Sequence, residues 1–479
     1  KQKTAYEMLR SLVGSEMCIR DRSYTDAEFL EIEAYSDHPE VYTVADVLTA
    51  AYFNEKERVR NPHLVIRDAR KLVASMVLRE DDLFRFTTKT SSFSSGNRKQ
   101  VWMTRRVLKL FNTAVGLGWI DLVQKGIRPS PGKSGKAARY SRSSAFKELS
   151  VGIDVKDIVP DPDRLRVELR DAEGKQVELS DEMINIHFNK ATTKILEDHY
   201  NFLIDSDVRY GDGRAVEKTK LFFIRKYKGG FDSGGRIYGG LQNKPKTERL
   251  GLTIAGSKVG SLDISQLHPM LILRLVHGID YEMLGLFTPG LYEAYVMPDY
   301  EDLPRGVHKR LINALFNASS EKSAVHALMS THWWYDEITG KLKVETYNGK
   351  KRRKGQCVFL DSPKKSAMQY VESFKRHHPM YGVAIGCGLG VTFQAIDGTL
   401  MERVIEVANE FKVPVIPVHD EFIVREGDRQ FIEMALERVF RDWIGEKGKF
   451  GTLGAKWANS DGEEEMVKID LSIEIQGKE

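Results

Sequence analysis

Cysteine is scarce in this chain, with Cys18, Cys357 and Cys387 the only three in 479 residues. Thiols so few and so scattered exclude a disulfide framework and a cysteine zinc site, and they read as buried or inert. Long apolar runs are missing as well. No stretch approaches the roughly 18 residues that a membrane-spanning helix needs, and the first residues lack the basic, apolar and small-residue segments of a signal peptide. The expected location is the cytoplasm or nucleoid. Acidic residues are nearly absent from one segment: between Arg98 and Lys147, twelve Lys and Arg stand against the single acid Asp121. The overall charge of +4 conceals this local excess, which points to a phosphate-bearing partner.

What is present is enough apolar residue, 41%, to build two to four units in a chain of this length. Ser11 to Arg22, SLVGSEMCIRDR, reads as translated sequencing adapter, with a short helix as the alternative, so residues 1–22 are set aside as artefact or disordered. Residues 23–90 read as helical, with Val44, Val47, Leu48 and Ala51 at helix spacing and Asn61-Pro62 as a break. Residues 91–150 carry an amphipathic helix over Val101 to Phe111, a turn at Gly116 to Gly118, and strand-like pieces at Trp119 to Val123 and Ala138 to Ser141. A basic loop, KGIRPSPGKSGKAAR, joins those pieces. Helix followed by hairpin predicts a winged-helix-like region in which Arg105, Arg106, Lys125, Lys133, Lys136 and Arg139 touch duplex phosphates, the alternative being a solvated basic linker.

Residues 151–234 read as a connector or thumb-like region. Leu165 to Leu179 alternates around Asp171-Ala172-Glu173-Gly174, a hairpin pattern, and Ile184 to Ile204 is helical. The basic run Lys350 to Lys354, after Asn348-Gly349, reads equally as a solvated hairpin tip or a nucleic-acid contact.

Val259 to Ile264 is a short strand ending in Leu262-Asp263-Ile264, with an apolar helix following from about Gln266 to Val276. Val413 to Val424, VPVIPVHDEFIV, sets His419-Asp420-Glu421 between two apolar strands. Acidic residues at apolar strand ends are costly unless they meet a cation. If the two strands are neighbours, Asp263 and Asp420 can hold two divalent ions about 4 Å apart, the arrangement used for phosphoryl transfer. Oxygen ligands select magnesium or manganese. Between them, Arg305, Lys309, Asn313 and Asn317 recur every four residues along one helix face, with Leu311, Ile312, Leu315 and Phe316 on the packed side. The cations of that face suit a triphosphate.

These pieces resemble family A DNA polymerases and, through Lys309-Arg310 and the helix that follows, single-subunit RNA polymerases. Gly235-Arg236-Ile237, Leu241-Gln242-Asn243-Lys244-Pro245 and Arg249 are similar to the stretch before motif A; Asp263-Ile264-Ser265-Gln266-Leu267 is similar to motif A itself. Arg305 and Lys309 resemble the fingers helix, and Val418-His419-Asp420-Glu421 resembles motif C. The match covers Gly235 to Val424. It implies an α+β right-hand polymerase with an antiparallel palm sheet (235–300 and 376–445), helical fingers (301–375, around Arg305 to Trp334), the N-terminal helical and winged-helix-like part as thumb or clamp, and a tail at 446–479.

By the same resemblance, Asp263 and Asp420 bind two magnesium or manganese ions, His419 orients the primer end and Glu421 supports the metal site. Arg305, Lys309, Asn313, Asn317, His268 and Gln266 face the nucleoside triphosphate, while Arg236, Gln242 and Gln394 face the DNA primer-template. Two departures bear on the sugar: His268 stands where DNA polymerases carry a glutamate that excludes ribose, and Asn313 and Asn317 replace aromatic residues. The residues before Gly235 do not read as a proofreading exonuclease. The expected function is a template-directed DNA polymerase without editing. The alternatives are a single-subunit RNA polymerase or primase-like enzyme and, from another class, a nucleic-acid-binding regulator with an inactive palm.

Overall fold

The computed structural model describes residues 28–55, 59–79, 83–93, 100, 102–127, 137–171, 174–265, 267–269, 271–272, 298–335, 342–346, 356–359, 363–444 and 452–471. The segment with Cys18, the site residues Gln266, Lys133 and Lys136, and the basic run 350–354 lie outside them. The chain divides into two compact units, Lys1–Arg164 with Glu217–Thr219, and Leu165–Val216 with Lys220–Glu479.

The first unit begins with helices α1 (Pro39–Asn54) and α2 (Pro62–Val77). Asn61 takes a left-handed φ of 54° just before Pro62, so the break at Asn61-Pro62 starts α2. Val44 and Leu48 are buried as the spacing predicts, but Val47 is 45% exposed: the buried stripe runs through Val41, Val44, Ala45 and Leu48, and Val47 falls beyond its edge. Strand β1 (Leu83–Phe86) precedes helix α3 (Arg105–Gly116), after which β2 (Ile120–Gln124) and β3 (Ala138–Arg142) form an antiparallel pair. Helix α3 starts at Arg105, later than the pattern suggests, because Thr104 caps it by accepting from Val107 N at 3.3 Å. Phe84, Phe86, Phe111 and Tyr140 interlock at the centre of this unit's core.

The second unit is α+β with mainly antiparallel sheets. Strand β4 (Val167–Arg170) pairs with Gln176–Val177 across a turn in which Lys175 N donates to Asp171 Oδ1 at 2.7 Å, as a hairpin there requires. Helix α4 (His187–Ile204) follows. Strands β5 (Ile224–Lys228) and β6 (Gly234–Tyr238) are antiparallel to each other, and β5 runs parallel to β4. The short helix α5 (Lys246–Leu250) leads to β7 (Ser257–Ile264).

Helices α6 (Arg305–Asn317) and α7 (Glu321–Met329) come next. The helical fingers were expected to reach Trp334, yet β8 (Thr331–Tyr335) and β9 (Leu342–Thr346) are antiparallel strands; a run of Trp, Thr and Tyr packs better on a pleated surface than round a helix. Helices α8 (Pro363–His377) and α9 (Leu389–Phe411) then precede the hairpin of β10 (Ile416–Val418) and β11 (Glu421–Arg425), helix α10 (Arg429–Ile444), and the hairpin of β12 (Thr452–Ala458) and β13 (Glu464–Asp470).

One sheet gathers β10, β11, β7, the pieces Thr253–Ile254 and Val208–Arg209, and, on the other edge of β7, β12 and β13. The segment read as a tail therefore supplies a neighbour of the Asp263 strand. Its seven-residue strands pair over their whole length, and buried Leu453, Ala455, Trp457, Val467 and Ile469 seal them to the core.

Candidate active site

Asp263 is the next-to-last residue of β7 and stands directly opposite Glu421, the first residue of β11. The β10–β11 turn is tight because His419 adopts φ 59°, a left-handed conformation uncommon outside glycine. That turn is clamped to the end of β7 by Ile264 N, which donates to Asp420 O at 3.0 Å. Two residues far apart in sequence are thus brought to one end of one sheet. Burial, then the charges of Asp420 and Glu421, push the Asp263 carboxyl up to about 7, while the ammonium groups of Lys246 and Lys309 work in the opposite direction. Carboxylates crowded at a mostly buried strand end are short of positive charge.

Glu421 already has cations. It is 7% exposed, paired with Arg249 from α5, and its Oε1 lies 4.0 Å from Lys246 Nζ. Asp263 and Asp420 are the two left to meet an ion. Among the described residues no group of three or more His, Cys, Asp and Glu side chains could hold a metal by itself. That donor set fits magnesium, which is held by one or two carboxylates with the substrate's phosphates completing the octahedron. His419 offers a further polar group: its Nδ1 is buried with no hydrogen-bond partner, and its ring lies 5.4 Å edge-on from Tyr238.

Helix α6 buries Val307, Leu311, Ile312, Leu315 and Phe316 and turns Arg305, Lys309 and Asn317 to the exposed side, with Asn313 half-buried. The electrostatic effect on Asp263 puts Lys309 within reach of the carboxylates. Asn317 is engaged with its own helix, donating from Nδ2 to Asn313 O at 2.6 Å. A Cβ at Gly390 of α9 would fall 1.6 Å from Asn317 Oδ1, so a larger residue there would have to push the Asn317 side chain aside.

On β6, Arg236 donates from Nε to Asp397 Oδ2 at 2.6 Å, and its Nη2 lies 3.2 Å from His268 Nε2. Burial, then the Arg236 charge, holds His268 down at about 4, a neutral ring. Asp397 was missed in the sequence. Its signal is an acid set between Ile396 and Gly398 in an apolar helix, and it is completely buried. Gln394, the residue of this helix that the resemblance points to, is half-buried, and Gln242 has a buried Oε1 with no partner.

Beneath lies a second buried pair. Arg225 donates to Glu402 Oε2 at 2.8 Å, Gly235 O at 2.9 Å, Thr399 Oγ1 at 2.7 Å and Ala395 O at 3.1 Å, and Thr192 Oγ1 donates to Glu402 as well. These bonds tie α9 to the β5–β6 hairpin that carries Arg236.

In the first unit, Arg105 and Lys125 are exposed. Arg106 is instead bound to Asp68 of α2 at 2.5 Å, and Arg139 is 4% exposed inside β3. Neither is placed as a surface cation. Arg139 is buried on the face of β3 opposite core-facing Tyr140, as strand alternation requires, and Arg106 lies on the flank of α3 that faces α2.

No family model matches the chain, and no curated protein sequence matches it. Among solved structures it is similar to the POL domain of Pol1 from M. smegmatis, in complex with a DNA primer-template and dNTP, at 12% identity and a TM-score of 0.33, over 90% of this chain and 68% of that one. Values this low bear on neither fold nor chemistry.

Proposed function

We propose that this chain is a template-directed nucleotide polymerase, with DNA synthesis as its main activity and no proofreading site. The observation that carries the reading is the pairing of Asp263 with the Asp420 turn at one end of the sheet, short of positive charge. Two divalent ions bound there would supply the charge neutralisation and the lowered hydroxyl pKa that transfer of a nucleotidyl group to a 3′-hydroxyl needs. Lys309, with Arg305 one turn before it, would grip the triphosphate by charge-assisted hydrogen bonds. His419, with its unpartnered Nδ1, would orient the primer end, and Arg236 would contact the nucleic acid. Glu421, held by Arg249 and Lys246, would fix the turn that presents Asp420.

In this reading the second unit comprises palm and fingers. The first unit, in which an antiparallel hairpin follows helix α3, would be a winged-helix-like duplex binder whose Arg105 and Lys125 meet phosphates along with Lys133 and Lys136. The test is extension of a labelled primer on a DNA template with magnesium and each class of nucleotide. Absence of template-dependent extension under all these conditions would refute the proposal.

A further inference from the structure

We propose that Asp397 is a positioning residue that acts through Arg236 to fix His268 as a hydrogen-bond donor toward the sugar of a bound nucleotide. The chain of contacts runs from the buried carboxylate in α9 to the guanidinium on β6 and on to the imidazole after β7. Guanidinium nitrogens donate and never accept. The contact between Arg236 Nη2 and His268 Nε2 therefore makes Nε2 the acceptor, and a neutral ring must carry its proton on Nδ1. Only one half of the ring is left to face a ligand, and it can donate but not accept.

Three features hold the arrangement rigid. Asp397 is 0% exposed and takes the Nε edge of Arg236. Phe393, one turn earlier on α9, packs against His268 with ring centroids 5.6 Å apart. A Cβ at Gly398, the next residue, would strike the Gly235 carbonyl, so α9 is seated on β6 with no room to slide. The Arg236 side chain as a whole keeps 20% of its surface open after both internal contacts are made.

The placement of the sugar rests on the polymerase reading. His268 and Asp420 are close enough to interact electrostatically, and a nucleotide whose α-phosphate is held at Asp263 and Asp420 has its sugar one oxygen away. An N–H fixed in that position finds an acceptor in the 2′-hydroxyl of a ribonucleotide. A deoxynucleotide leaves it unpaired, which removes the advantage a purely steric exclusion of ribose would give. The inferred substrate class thus includes ribonucleoside triphosphates.

Two measurements on the full chain separate the relay from the reading it rests on. The first is nitrogen NMR of 15N-histidine protein at pH 7.5, with His268 assigned by its loss in His268→Gln. Wild type and Asp397→Asn, which keeps an oxygen for Arg236 Nε, are expected to show the proton on Nδ1. Asp397→Leu and Arg236→Met are expected to show the mixed tautomers of a free imidazole, with unchanged circular dichroism verifying their fold. The second is the ratio of kcat/KM for a deoxynucleotide and its ribonucleotide on one primer-template. It should lie within about 100-fold in wild type and in Asp397→Asn, and move by about tenfold or more in Asp397→Leu. An Nδ1 proton in every variant, or a ratio unmoved in Asp397→Leu, would overturn the proposal. A wild type that shows the expected tautomers yet incorporates nothing would overturn the polymerase reading, and the sugar's part with it, while the relay stands.

Discussion

Gly398 of α9 lies so close to Gly235 of β6 that a Cβ built on it would fall 1.9 Å from the Gly235 carbonyl oxygen. The obstacle is backbone and cannot swing aside, so Gly398→Ala must push α9 off the hairpin. A loss of about 1–3 kcal/mol is expected from overpacking of this kind, read as a lower urea midpoint. Because Asp397 is the adjacent residue, the variant should also lose activity beyond what its remaining folded fraction accounts for. An unchanged midpoint would contradict the close approach.

Asp263→Ala and Asp420→Ala should each abolish nucleotide incorporation while binding to primer-template is retained, since each removes an oxygen meant for a divalent ion. Single-turnover extension is the measurement. More than a few per cent of wild-type rate in either variant would sink the assignment.

Lys309→Ala should raise the KM for nucleotide and lower kcat together. Its ammonium lies on the exposed face of α6 within electrostatic reach of Asp263, and a charge-assisted contact contributes about 1.5–3 kcal/mol. A combined loss in kcat/KM of about 10- to 100-fold is expected. Unaltered steady-state constants would remove Lys309 from the site.

Arg225→Met leaves the Glu402 carboxylate in the core with Thr192 as its remaining partner. Removal of one member of a buried ion pair costs about 3–5 kcal/mol, so this variant should be among the least stable single substitutions in the second unit. The double variant Arg225→Met, Glu402→Leu should recover much of the loss. A double variant as unstable as the single one would show that the pair is not the source.

Burial lifts the Asp397 carboxyl from 3.8 to about 6. A folded-state value above the unfolded one means that the stabilising contribution of this group is complete below pH 4 and is lost as the pH rises through about 6. Relative to wild type, Asp397→Asn should therefore gain about 2 kcal/mol between pH 4.5 and 7.5, measured by urea unfolding across that range. A difference independent of pH would show that the carboxyl titrates normally.

The parts of this molecule that a reader of the sequence can see are those whose pattern is local. The strand ending in Asp263, the two strands flanking His419-Asp420, and the apolar face of α6 each declare themselves within a dozen residues, and all three form. Trp333 and Trp334 misled because helix and strand both bury aromatic residues, and a five-residue run does not separate the two periods. Asp397 stayed hidden because its meaning depends on Arg236, 161 residues away. Arg139 illustrates the converse: counting cations along a segment does not reveal which side of a strand each one takes, and this one is buried.

The same long-range pairing governs how the protein is made. Strand β7 lies between β11 and β12, which leave the ribosome roughly 160 and 190 residues after Asp263, so its pairing is of the slow, non-local kind. Throughout that interval the emerging strand, paired only at Ser257 and Lys258 with the preceding Thr253–Ile254, offers the bare edges of its Asp263 end to any other nascent chain. A product ended before residue 452 would carry every recognisable motif and still lack one flank of the Asp263 strand. Such a fragment should collect in inclusion bodies, while the chain that includes β12 and β13 closes its own sheet.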